Sequence, residues 1–135
     1  TDFFFLYLDI KIKVMHLKKV KRLAQKYLDK CVEVYGLSKF QECSPYIDFE
    51  PSLKSKHTGE DHTQAEWLHD YNTIVLYYKH MESEKHLAET IIHEYQHYLQ
   101  SPSWMTRYYN MGYNYSDHPY EVAAFKEESN FKMVI

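Results

Sequence analysis

The spacing of His93-Glu94-Tyr95-Gln96-His97 constrains this chain more than any other stretch. On an α-helix, residues four apart lie one above the other on a single face. His93 and His97 can then offer two imidazole nitrogens to one metal ion, with Glu94 beside them. The flanks predict that helix. Ser83 is placed to cap its start, Glu84 suits the positive end of the helix dipole, and Ser101-Pro102 stops it. Leu87, Ile91, Ile92, Tyr95 and Leu99 form a broad apolar face, so the helix is expected in a core. Zn²⁺ takes neutral nitrogen donors and, in catalytic sites, keeps one position for water. A carboxylate at the place of Glu94 is suited to take that water's proton. The competing reading makes both histidines ordinary hydrogen-bonded core residues.

A second segment, 116–128, adds a carboxylate. Asp117 or His118 can cap a helix there, and Pro119 suits the first helical position. Glu121 falls in the first turn. Ala124 follows three residues on, on the same face, and its small side chain permits close approach to the first helix. A solvated glutamate favoured by the helix dipole is the other reading of Glu121.

An H-E-x-x-H motif followed by Glu in a Pro119-Tyr-Glu-Val-Ala-Ala124 context resembles the gluzincin branch of the zincin metallopeptidases. The likeness covers about residues 73 to 128. It implies a compact α+β zincin-like domain: an N-terminal support helix, a small twisted β-sheet, the H-E-x-x-H helix, and a C-terminal helix carrying the third ligand. It further implies that His93, His97 and Glu121 hold one Zn²⁺ and that Glu94 is the general base in hydrolysis of a peptide or protein substrate. The metzincin pattern is absent, because Gln100 and Ser103 stand where its Gly and third His would be. In SprT-like enzymes the third ligand is a His, which keeps His118 open as an alternative to Glu121. Zincins commonly use a Tyr or His near the metal to stabilise the oxyanion; Tyr113, Tyr115 and His118 are the candidates here. They also place a substrate-pairing edge strand just before the metal-binding helix, which points to residues 73–78. An imidazole ligand usually donates its other N–H to a carboxylate or carbonyl, and Glu128, two turns after Glu121, is one candidate acceptor.

The remaining chain supports one domain over residues 16–135, with residues 1–15 as an N-terminal extension or strand. Phe3–Leu8 is apolar but too short to span a bilayer. It lacks the basic start and cleavage site of a signal peptide, and residues 9–14 alternate as a strand or extended arm would. A cytoplasmic protein, bacterial or phage, is the expectation. A net charge of −3 gives no case for nucleic acid or an anionic membrane as partner. Cys31 and Cys43 form no C-x-x-C pair and read as reduced thiols. The 14 tyrosines suit a small core or a peptide-binding groove equally well.

From His16 to Tyr35 the apolar residues follow a helical period, and Gly36 ends it. Tyr46–Phe49, Ala65–Leu68 and Thr73–Tyr78 read as strands. Segment 101–117 reads as a connection without regular structure, a kind more often functional than idle. His57, His62, His69, His80 and His86 read as surface residues. Three rival functions stand beside the peptidase: a zinc-binding interaction module without catalysis, a regulatory protease with one dedicated partner, and a metal-free binding protein.

Overall fold

A computed structural model describes the backbone of residues 2–135 and the side chains of residues 17–135. The order is α1 (Asp2–Tyr35), β1 (Tyr46–Glu50), β2 (Ala65–Leu68), β3 (Thr73–Tyr77), α2 (Glu84–Leu99), α3 (Pro102–Asn110) and α4 (Pro119–Glu127), with short 3-10 turns between several of them. The class is α+β, as the sequence led us to expect.

α1 runs past the expected helix start at His16 back to Asp2, so residues 9–14 are helical, a correction to the strand or extended-arm reading. No Gly or Pro interrupts the chain before Gly36, and alternation over six residues is too short to outweigh a helix already propagating. Gly36, at φ +80°, ends α1 and donates its N–H to the Val32 carbonyl at 2.9 Å. An l-residue with a side chain is strained in that conformation.

The sheet has the order β1-β3-β2. β3 pairs in parallel with β1, Tyr46 opposite Thr73, and antiparallel with β2, Ala65 opposite Leu76. This corrects the expected position of the edge strand. β3 is central because its run Ile74-Val-Leu-Tyr77 is buried throughout, as a strand covered on both faces requires. β1 and β2 are the edge strands, and β2 is the one that packs against α2. Asn72, in left-handed conformation, turns the chain into β3 while its amide donates to the Ser44 carbonyl at 3.1 Å.

Ile74 and Leu76 meet α1 and α2 through Val20, Leu23, Tyr27, Leu87, Ile91, Ile92 and Tyr95, all buried. The tyrosines divide between the core and the surface. Tyr98 is buried and its hydroxyl donates to the Cys43 carbonyl at 2.8 Å. Tyr95 likewise donates to the Gly36 carbonyl. Their rings supply core area while their polar tips are satisfied. Tyr109, Tyr113 and Tyr115 instead stay exposed around α3. Segment 101–117 is therefore not irregular: Pro102 opens α3 at its first turn. Among the described residues, no helix is long and apolar enough to cross a membrane.

Candidate metal centre

Three elements bring the site together. α2 begins as the sequence suggested, with the Ser83 hydroxyl accepting from the His86 N–H at 3.1 Å. Tyr95 and Ile92 anchor the core side of α2, and that fixes the rotation which turns His93 and His97 toward α4. Pro119 starts α4 with Glu121 in its first turn, and fully buried Ala124 lets α4 close on α2. His118 occupies the cap position of α4 without a side-chain capping bond.

His93, His97 and Glu121 thereby offer one ligand atom each, all within 4.8 Å of one another. The two Nε2 atoms are 3.2 Å apart, and Glu121 Oε2 is 3.4 Å from His93 Nε2. The other carboxylate oxygen contacts His97 Nε2. All three residues are buried, Glu121 to 1 % exposure. Its Oε2 has no hydrogen-bond partner, although an unsatisfied buried carboxylate oxygen carries a heavy desolvation cost. Two imidazole nitrogens and a carboxylate oxygen converging beside that orphaned atom fit a bound divalent ion. These residues could hold a metal.

Both imidazoles are held from behind. His93 Nδ1 lies 2.9 Å from Glu128 Oε2, and His97 Nδ1 lies 2.8 Å from Gln100 Oε1. With Nδ1–H donating to these oxygens, each Nε2 lone pair faces Glu121. Gln100 also donates to the Tyr120 carbonyl at 3.0 Å, tying the end of α2 to α4. Sequence reasoning passed over Gln100; its position one turn after His97 was the available signal. Replacing Glu128 with Ala should weaken metal binding about 10- to 100-fold with little change in the far-UV circular dichroism spectrum, as measured by competition with a chromogenic chelator.

The electrostatics follow from burial and charge. Burial works against protonation of His93, but hydrogen bonds to Glu121 and Glu128 prevail and raise its pKa to about 10. Burial also works against ionisation of Glu121, yet His93 and His97 hold its carboxyl well below the usual range. Protons and a metal ion compete for these lone pairs. Metal affinity should therefore climb as pH rises from 6 toward the His93 pKa of about 10, by about tenfold per unit for each proton displaced. Calorimetric titration in buffers of different ionisation enthalpy would count those protons.

Glu94 lines the same cleft. Burial, together with the negative charges of Glu121 and Glu66, raises its pKa against the opposing effect of His97 and His93. The cleft has a volume of about 710 Å³ and runs from β2 and the 57–64 loop to α3 and α4. Tyr115 lines it with much of its side chain exposed, and local desolvation together with the neighbouring carboxylates of Glu121 and Glu94 raises its hydroxyl pKa. Tyr113 and His118, the other two oxyanion candidates, lie outside the lining. Tyr113 stacks near Tyr108 and His118, at ring distances of 5.9 and 6.1 Å. His118 is buried 3.6 Å from the Tyr120 ring. The metal-competent cluster contains Glu121 rather than His118. Comparison with protein-family models, curated proteins and solved structures finds no match for this chain.

Proposed function

We propose that this chain is a zinc-dependent metallopeptidase of the zincin type, gluzincin-like in its ligand set. The observation that carries the reading is the convergence of His93, His97 and Glu121 within 4.8 Å at the wall of a cleft that Glu94 also lines. The outer nitrogens of both imidazoles are already held by Glu128 and Gln100, which leaves Glu94 free to be the base that hydrolysis needs.

A bound Zn²⁺ would polarise the scissile carbonyl and lower the pKa of water to about 7. The chain's residues do the rest. Glu94, its pKa raised by burial, accepts a proton from the attacking water and returns it to the departing amine. Glu128 and Gln100 keep both imidazoles in the tautomer that leaves Nε2 free. Tyr115 donates from the cleft wall toward the oxygen on which negative charge develops. Replacing Tyr115 with Phe should lower kcat by about 10²–10³ while zinc stoichiometry, measured by elemental analysis, stays unchanged.

The test of the reading is hydrolysis of a quenched-fluorescent peptide library by purified protein, before chelation, after it, and after zinc is restored. Activity lost and regained in step with the metal supports a peptidase. A metal-loaded, folded protein that cleaves nothing in the library, casein included, points to the interaction module.

A further inference from the structure

Apart from its four histidines, the ionisable charged residues of the cleft lining are all acidic. Its wall contains the carboxylates of Glu60, Asp61, Glu66, Glu94, Glu121 and Glu128, and no Lys or Arg. The basic residues Lys18, Lys19, Lys21, Arg22 and Lys26 lie on α1, and none of them lines the cleft. A divalent ion would offset Glu121 and one further charge. Lys54, 3.5 Å from Asp61, offsets another. An anionic excess persists.

Glu66 gives that excess a fixed position. It accepts from the Tyr77 hydroxyl at 2.8 Å and from the Ser55 hydroxyl, and among the described residues it has no cationic partner. Ser55 in turn accepts from the N–H groups of His57 and Thr58 at 3.1 and 3.0 Å. The loop that carries Glu60 and Asp61 is thus tied to β2, and both residues line the cleft that the metal-competent cluster also lines. The exposed rings of Tyr115 and Phe125 line the same cleft. Aromatic faces and carboxylates both favour ammonium and guanidinium groups over carboxylates.

We propose that the cleft selects peptides carrying Lys or Arg beside the bond presented to His93, His97 and Glu121. The inference rests on the peptidase reading. Low-dielectric walls of one sign raise the local concentration and encounter rate of oppositely charged ligands, by about tenfold or more.

The test uses quenched-fluorescent peptides of one frame whose flanking residues are Lys, Ala or Glu. Hydrolysis is measured with the zinc-loaded protein, and binding with zinc-loaded Glu94→Gln protein by fluorescence anisotropy. Lys peptides should exceed Glu peptides by at least about tenfold in kcat/KM and in affinity at low salt, with the gap narrowing as salt is added. Glu60→Lys combined with Asp61→Lys should shrink or invert the ratio; the milder pair Glu60→Gln and Asp61→Asn should move it part of the way. Equal handling of Lys and Glu peptides, or a preference untouched by salt and by both double variants, would overturn the proposal. If no peptide is cut but binding still follows charge, the peptidase reading fails and the charge selectivity stands. Cleavage without a charge preference does the reverse.

Discussion

Glu94→Gln protein should keep its zinc and lose its hydrolysis. The substitution preserves side-chain volume in a buried position, and Glu94 is not among the three metal-competent residues. The fold and the metal affinity therefore have no reason to change. The amide cannot accept the proton from water, and removing a positioned general base costs about 10²–10⁴ in rate. The loss should fall on kcat, with KM little altered, because the residue acts in the transition state rather than in holding the peptide. The same change should remove the limb of the pH–rate profile that reports ionisation of the base. Undiminished kcat in this variant would take Glu94 out of the mechanism and leave the metal site without an assigned base.

The second large effect concerns which residue completes the site. Glu121→Ala should abolish tight metal binding, whereas His118→Ala should leave it intact. Glu121 is buried against both imidazoles, and one of its oxygens has no other partner. His118 instead packs on Tyr120 and lies outside the cluster. In the unaltered protein, free zinc at a thousandfold excess over Kd should add about 4 kcal/mol of stability. For a domain of this size that corresponds to a rise in Tm of roughly 10 °C or more. The rise should vanish in Glu121→Ala and persist in His118→Ala. The opposite pattern would restore His118 as the third ligand.

Much of this site was legible before any coordinates. His93, Glu94 and His97 sit on one helical turn, so spacing alone orients them, and Ser83 and Pro102 bound the helix by local chemistry. Glu121 needed more: its distance from the histidines in space follows from α4 docking on α2, which sequence could signal only through Ala124. Glu128 was named for the same helical reason, and it does contact His93. Gln100 was missed because a helix-capping glutamine and one that holds a histidine in place leave the same letter in the sequence. That Tyr115, and not Tyr113 or His118, lines the cleft follows from the course of the chain after α3, and no periodicity encodes a loop's path.

The errors have similar causes. The alternation at residues 9–14 imitates a strand, yet nothing there stops a helix that continues to Gly36. The sheet order depends on pairing between distant segments. Strand β3 reads as a strand from its own residues, but its central place follows from β1 and β2 flanking it. The acidic wall combines Glu60 and Asp61 from a turn with Glu66 from a strand. Their meeting at one cleft is a property of the fold, invisible in a net charge of −3.

A crystal structure of the zinc-loaded protein, phased or checked by anomalous scattering at the zinc edge, bears on all of this at once. It should show one ion bound by His93 Nε2, His97 Nε2 and a Glu121 oxygen at about 2.0–2.2 Å, with solvent in the remaining position. An ion bound elsewhere, Glu121 turned away from it, or a fourth protein ligand closing the coordination sphere would contradict the hydrolase.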